Sequence, residues 1–341
     1  AAVPLATCAF TLAFLLIFLP YTVFHEAISW MIQGVLWISR QSYGMLTIGH
    51  VPFLWVLLFY FMTGLWIWKK NGQNRHIRIS LAYVIMIILI WIPMARRKSL
   101  AFLDVGQGDC FVADTKSGAI IFDGGSSSED QVGRYRILPY MKYLGYQKIQ
   151  IAVISHMDID HYSGIKELLE MGKIKYLGLP EIPKDETMKK IIGIAKKRGT
   201  TIFYLSRGRQ ITTKDGSLKV LHPQKNSQME KNAASLVMQG KILGYRVLLT
   251  GDVEKEGEEE LLSEELERAD ILKAAHHGSK NSTSNEFLQK VQPKQTVISC
   301  GKQNRYGHPH LETIHRLQTY RTKIYRTDRS GAIIFFKRRD G

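Results

Sequence analysis

Apolar positions along the chain fall into two regimes. Up to residue 98 they form long, nearly unbroken runs; from residue 99 they form short runs separated by Gly, Ser and charged residues. Residues 4–24 (PLATCAFTLAFLLIFLPYTVF) are long enough to cross a bilayer, which takes about 20 apolar residues. Residues 51–68 and 79–94 make two further candidate spans, the last near the short limit. A signal peptide would explain the first run but not three of them. Between the first two, EAISWMIQGVLWIS mixes polar with bulky apolar residues and predicts an interfacial helix or re-entrant segment.

From residue 99 the pattern changes to strands. LAFLDVG, CFVADT and AIIFDGG are strand-like runs closed by turn residues. A helix is predicted around ILPYMKYLG, then a buried strand IQIAVIS and a helix in SGIKELLEMG. KYLGLP and TIFYLS predict strands flanking a basic helix in DETMKKIIGIAKKRG. SLKVLHP, ASLVMQG and YRVLLTGD read as consecutive strands, and an acidic helix is expected over 253–268. DILKAAHHGS, a short helix, TVISCG, another helix and KIYRTDRSGAIIFF complete the chain. Strand runs punctuated by helices predict an α/β (α+β) sandwich with helices on its outer faces. The predicted organisation is transmembrane helices over 1–98 and a separate domain over 99–341.

Charge sharpens that division. Of 46 Lys and Arg residues only eight lie in 1–98, and of 30 Asp and Glu only Glu26 does. The loop KKNGQNRHIR carries Lys69, Lys70, Arg75 and Arg78 and is expected on the cytoplasmic side. The preceding loop carries only Arg40 and is expected outside, so the third span exits and domain 99–341 lies outside the membrane. Arg96, Arg97 and Lys98 argue in the opposite sense. Three cysteines, Cys8, Cys110 and Cys300, exclude a disulfide framework and read as buried small hydrophobes. The first residue is Ala1, which suggests a processed form or a fragment.

The candidate chemistry begins in ISHMDIDHYSG. His156, Asp158, Asp160 and His161 stand where a buried strand ends and a helix begins. Four such groups can serve two metal ions held about 3.5–4 Å apart, as in phosphatases and nucleases. Singly, an Asp before a helix is usually an N-cap and a His a polar surface residue; together they point to metal. Further candidate ligands follow later strands: His222 after KVLHP, Asp252 in TGD as a bridging carboxylate, and His276 or His277 in AAHH. Asp252 also reads as a helix cap, and His222 is the weakest candidate. Asp109 and Asp123, in Gly-rich turns, are expected to support the site rather than bind metal.

SHMDIDH, TGD and HHGS in this order resemble the metallo-β-lactamase superfamily of αββα hydrolases. More closely, LDVGQGDC, FDGG, SHMDIDHYSG, NAASLV, LLTGD, LKAAHHGSKNST and NRYGHPH resemble the C-terminal domain of ComEC-type competence proteins, over residues 99–341. The resemblance implies an αββα metallo-β-lactamase-like sandwich preceded by transmembrane helices of a DNA channel, with more spans and a further extracytoplasmic domain upstream. In the superfamily pattern His-x-His-x-Asp-His, Asp158 replaces the second histidine, as is usual for the competence family. A hard oxygen ligand there favours two Mn²⁺ ions, with Zn²⁺ or Mg²⁺ as alternatives. Carried over, one ion takes His156, Asp158 and His222; the other takes Asp160, His161 and one of His276 or His277; Asp252 bridges them.

The implied activity is metal-dependent hydrolysis of DNA phosphodiesters in natural transformation, degrading the strand that is not transported. Asp160 and His161 are the catalytic candidates, with His308 and Ser279 as hydrogen-bond donors to the scissile phosphate. Between Lys302 and Arg339 ten basic residues face only Glu312 and Asp328. Of these, Lys302, Arg305, Arg321, Lys323, Arg326 and Arg329 are the candidate DNA contacts. Expected partners are double-stranded DNA, the bacterial cell membrane and other DNA-uptake competence proteins; a homo-oligomer is left open. Two readings compete: a non-catalytic DNA-guiding domain, and a hydrolase of phosphocholine-type small phosphodiesters. The basic C-terminal region and the membrane segment argue against the second.

Overall fold

The computed structural model describes residues 97–338 except 231 and 265, together with positions 29, 33, 49–51, 53, 55–58, 60 and 61. The chain divides into two units, Ala1–Thr47 and Ile48–Gly341, and the account that follows concerns the second. Among the described residues no helix is long and apolar enough to cross a membrane. The expected spans at 4–24, 51–68 and 79–94, and the segment between the first two, lie wholly or mainly outside the described residues.

Alternation of side chains builds a sandwich. In β3 (Gly118–Phe122), Ala119 and Ile121 face one apolar cluster while Ile120 and Phe122 face another. Successive strand residues point to opposite faces, so a strand apolar at every position must be covered on both sides. The same holds for β1 (Ser99–Phe102), β2 (Phe111–Thr115) and β4 (Ile149–Val153). With β5 (Ile174–Pro180), β6 (Thr201–Leu205) and β14 (Ile333–Phe336) they form one sheet, ordered β14-β1-β2-β3-β4-β5-β6. The second sheet comprises β7 (Gln210–Thr213), β8 (Gly216–His222), β9 (Val237–Ile242), β10 (Tyr245–Leu249), β11 (Ile271–Lys273), β12 (Gln295–Ile298) and β13 (Lys323–Arg326). Its order is β13-β12-β11-β10-β9-β8-β7. Each sheet is antiparallel on one side and parallel on the other, from β3 to β6 and from β10 to β13.

Helices cover the outer faces. Leu138–Tyr143 (α1), Ile159–Glu170 (α2) and Glu186–Lys197 (α3) bury Met141, Ile165, Leu168 and Ile191 on the first sheet. Lys255–Ser263 (α4), Asn285–Val291 (α5) and Leu311–Thr319 (α6) bury Leu261, Phe287 and Leu317 on the second. Each such side chain contributes about 1.5–3 kcal/mol of burial, so the outer layers rest on apolar packing rather than on surface ion pairs. Caps add smaller terms. Asp185 Oδ1 accepts from Met188 N at 2.7 Å and starts α3. Asp185→Ala is expected to cost about 1 kcal/mol and to lower the thermal midpoint by about 2–4 °C, read by calorimetry.

The structure departs from the sequence expectation in three places. KIYRTDRSGAIIFF is not one strand: β13 lies at the edge of the second sheet, and after the turn Thr327–Ser330 the chain crosses to pair β14 with β1. The acidic helix stops at Ser263, because the backbone at Glu267 pairs with the Gln239 side chain and Leu266 is drawn into the core. Strand β7, with its polar sequence QITT, carried no hydrophobic signal.

Candidate metal centre

Strand ends and the turns after them meet at one end of the sandwich. His156 follows β4, Asp123 follows β3, Asp109 precedes β2, Asp252 follows β10, and His277 lies in the turn after β11. Backbone hydrogen bonds hold these turns together: Asp109 N to Asp160 O (3.0 Å), Gly125 N to Asp109 O (3.1 Å) and Gly124 N to His161 O (2.8 Å). Asp109, His161, Asp252 and His277 are all buried, and each offers a ligand atom within 4.8 Å of the others. Asp252 Oδ2 lies 3.2 Å from His161 Nε2 and 3.4 Å from His277 Nε2; Asp160 Oδ2 lies 3.4 Å from His277 Nε2.

Hydrogen bonds fix the orientation of the two key imidazoles. His161 Nδ1 is 3.0 Å from Asp123 Oδ2, and His277 Nδ1 donates to Ser299 O at 2.9 Å. A proton held on Nδ1 leaves Nε2 as the free lone pair, the arrangement found in metal-binding histidines. Asp123 is itself anchored, its Oδ1 accepting from Ser155 N at 2.7 Å. His156 Nε2 is buried without a hydrogen-bond partner, and Nε2 of His161 and His277 and the Asp109 carboxylate meet only other charged groups of the cluster. Orphaned buried groups are costly, and a divalent cation satisfies this donor set. The backbone is strained here as well: Asp123, His276 and His277 adopt φ of 57°, 47° and 52°. Each such residue costs of order 1–3 kcal/mol, and such strain concentrates at functional sites.

The charge balance is steep. Burial alone would raise the Asp160 carboxyl, but the His277 hydrogen bond and the charges of His161 and His277 bring it down to about 2. Asp252 is held well below the carboxylate range: burial opposes this, and His161, His277 and Lys273 outweigh it. Burial would lower the imidazoles, yet Asp252 and Asp123 raise His161, and Asp252 and Asp109 raise His277. A divalent ion replaces such protons with its own charge.

The predicted residues do not all converge. Asp109, expected to play a supporting role, is inside the ligand cluster. Asp158 occupies the N-cap position of α2 but makes no side-chain cap bond; its Oδ2 lies 3.7 Å from His156 Nε2. Asp252 is not a helix cap, since α4 starts from Glu254. Of the paired histidines, His277 is buried in the cluster, whereas His276 Nδ1 sits 2.8 Å from Glu254 and its Nε2 3.8 Å from Asp252. His222 must be corrected. A β-bulge between Val220 and His222 sets it opposite Val237, on the helix-facing side of the sheet, as bulges re-aim side chains. There its Nε2 donates to Ala233 O at 2.7 Å and its Nδ1 lies 3.2 Å from Glu260. Ser279 is buried, and its Oγ accepts from Asn281 N at 3.3 Å to close a turn.

At the rim, His308 Nδ1 lies 3.5 Å from Gln107 Nε2, and its ring is 5.4 Å from that of His276. Burial and the neighbouring His277, His276 and His310 push it down to about 4. Arg305 lies over the Tyr306 ring, 4.9 Å from its centroid, and its charge reaches Asp160. The basic run is split by topology. Register pairs Lys323 with Gln295 and Arg326 with Ile298; the centre lies beyond the Ile298 end, so Arg321 and Lys323 belong to the far end of the sheet. Arg326 is committed to Asp328 through two hydrogen bonds of 2.9 and 2.7 Å. Lys302, Arg305 and Arg329 remain exposed at the near end. Two participants were not foreseen. Ser155 Oγ contacts the Nδ1 atoms of His156 (3.0 Å) and His161 (3.4 Å). Lys273 is a buried lysine in contact with Asp109 and Asp252. Its signal was a single charge in an otherwise apolar strand, directly before AAHH.

Comparison with known proteins agrees with this geometry. Residues 103–302 match the Metallo-beta-lactamase superfamily, and the chain belongs to that superfamily. Its relatives bear out the resemblance to ComEC-type competence proteins. The chain is 34% identical over 294 residues to ComE operon protein 3 of Bacillus subtilis (strain 168), covering 80% of this chain and 38% of that protein. It is 30% identical over 248 residues to Competence protein ComA of Neisseria gonorrhoeae, covering 70% and 32% respectively. The chain thus spans about a third of the length of these relatives. Among solved structures, the metallo-beta-lactamase fold protein YhfI from Bacillus subtilis aligns with a TM-score of 0.48 at 13% identity, over 70% of this chain and 99% of that one.

Proposed function

We propose that the chain is the metal-dependent nuclease part of a DNA-uptake protein, hydrolysing phosphodiesters of the strand that is not transported, outside the cell membrane. The observation that carries this is the buried convergence of imidazole nitrogens and carboxylates beneath a basic rim. Relatives named for competence supply the DNA, and the basic-loop asymmetry supplies the side of the membrane. DNA, the membrane and other uptake proteins are the partners of this reading.

Asp160, His161, Asp252 and His277, with Asp109 beside them, would hold the ion. Bound there, a divalent ion supplies Lewis acidity toward a phosphoryl oxygen and makes water a nucleophile near neutral pH. The chain's own groups do the rest. Asp160, held at about 2, is too weak a base to take a proton near neutral pH; it orients water by accepting its hydrogen bond. His308, neutral at physiological pH because it titrates at about 4, donates one N–H from the rim. Arg305 contributes the fixed charge that draws in the phosphate. Asp123 and Ser299 O hold the His161 and His277 rings in place.

The test incubates the full chain with labelled duplex and single-stranded DNA and with Mn²⁺, Mg²⁺ or Zn²⁺, alongside an Asp160→Ala, His161→Ala double variant. Metal-dependent cleavage that disappears in the double variant is expected. Cleavage should also weaken steeply as salt rises from 50 to about 200 mM. Binding without cleavage under every metal would favour the DNA-guiding reading, and turnover of phosphocholine esters alone would favour the small-substrate one.

A further inference from the structure

The centre already contains a cation. Lys273, the last residue of β11, pairs with Val297, and its side chain runs along the interior face of the second sheet into the cluster. Its Nζ donates to Gly251 O at 2.8 Å, lies 3.4 Å from Asp252 Oδ1, and forms a closer ion pair with Asp109 Oδ2. It is buried with them.

This position divides the two oxygens of Asp252. Oδ2 faces His161 and His277, while Oδ1 faces the ammonium. A carboxylate that bridges two metal ions through both oxygens needs each of them free, and here Oδ1 is taken by the ammonium. The other half of a paired site is also short of ligands. It offers His156 Nε2 and Asp158 Oδ2, 3.7 Å apart, while His222 is turned to the opposite face by the bulge. Two protein ligands hold a divalent ion far less firmly than the four converging groups of the first half, Asp160, His161, Asp252 and His277.

From this geometry we propose that Lys273 takes the place of one of two divalent ions. The centre then holds one tightly bound ion on Asp160, His161, Asp252 and His277, with the tethered ammonium as its second positive charge. This rests on the reading of the cluster as a divalent-metal centre. It makes a distinct claim about number: the ammonium, not the ligand types, limits the loading.

The experiment titrates the full chain, purified in detergent, with Mn²⁺. Bound equivalents are read from the loss of free-ion signal in electron paramagnetic resonance, and spin coupling from spectra of the bound metal. The wild-type chain is expected to take up one tight equivalent with an uncoupled six-line signal. Lys273→Met frees Asp252 Oδ1 and Asp109 Oδ2, and should bind a second equivalent at least about tenfold more tightly than the wild type does, with an exchange-coupled signal. Lys273→Arg keeps the charge and should keep the single equivalent. Two comparable equivalents with a coupled signal in the wild-type chain would overturn the proposal, as would a folded Lys273→Met that still takes only one. If Lys273→Met does not fold, the wild-type and Lys273→Arg stoichiometries decide the matter. No Mn²⁺ bound by the wild-type chain at millimolar concentration would overturn the metal centre itself, a result distinguishable from an incorrect count.

Discussion

Replacing Asp252 with asparagine is expected to lower metal-dependent hydrolysis about a thousandfold while leaving the fold intact. Asp252 faces the Nε2 atoms of both His161 and His277, at 3.2 and 3.4 Å, and also Lys273. Asparagine keeps its shape and removes its charge. Losing one anionic ligand from the ion takes away part of a transition-state stabilisation worth several kcal/mol, and about 4 kcal/mol corresponds to a thousandfold in rate. Without metal the variant should unfold at a lower temperature than the wild type, because the ionised Asp252 is held well below the carboxylate range by His161, His277 and Lys273, and that stabilisation is lost with its charge. The loss is partial, since Lys273 retains its pairing with Asp109. Turnover within tenfold of wild type would remove Asp252 from the centre. A comparison variant, Asp123→Asn, reaches the centre indirectly, through the His161 ring and the Ser155 backbone that it anchors. It should weaken metal affinity by about 10–100-fold, measured by calorimetric titration.

What the sequence disclosed, and what it hid, have physical reasons. Strands buried on both faces and the residues just past their ends could be read from periodicity, because the pleat and the strand terminus are local properties. That is why His156, Asp160, His161, Asp252 and His277 were found together. His222 was misplaced because its direction depends on a bulge, one extra residue between Val220 and Val237 that cross-strand register reveals and spacing does not. Arg321 and Lys323 looked continuous with Arg305 along the chain, but a strand carries its two ends to opposite sides of the molecule. Asp109 and Asp123 both read from the sequence as supporting groups in Gly-rich turns after strand ends, but the Asp109 turn is also the beginning of β2. Antiparallel pairing of β2 with β3 brings that beginning to the same end as Asp123. Lys273 was passed over as one charge in an apolar run, although a lysine on the inner face of a sandwich requires buried carboxylate partners.

The second large effect concerns the scaffold rather than the ligands. Gly125→Ala is expected to destabilise the protein by about 2–3 kcal/mol, in the range of overpacked interiors, and to weaken Mn²⁺ binding with it. A Cβ at Gly125 would stand 2.5 Å from His161 N, 2.5 Å from Ile159 O and 2.6 Å from Asp160 C. All three are backbone atoms of the first turn of α2, and none can rotate away. The turn carrying Gly124 and Gly125 is bonded to that helix through His161 O and to the Asp109 turn through Asp109 O. Relief of the clash must therefore shift Asp160, His161 or Asp109, each a candidate ligand. For a domain of this size the thermal midpoint should fall by about 5–10 °C, followed by calorimetry with and without Mn²⁺. Asp252→Asn and Gly125→Ala thus predict different patterns: the first removes a ligand and its charge without moving the backbone and loses activity out of proportion to stability, the second loses metal binding and stability together. A Gly125→Ala chain that melts like the wild type and binds Mn²⁺ equally well would show that α2 and the glycine turn do not fix the centre, and the close approach seen there would carry no function.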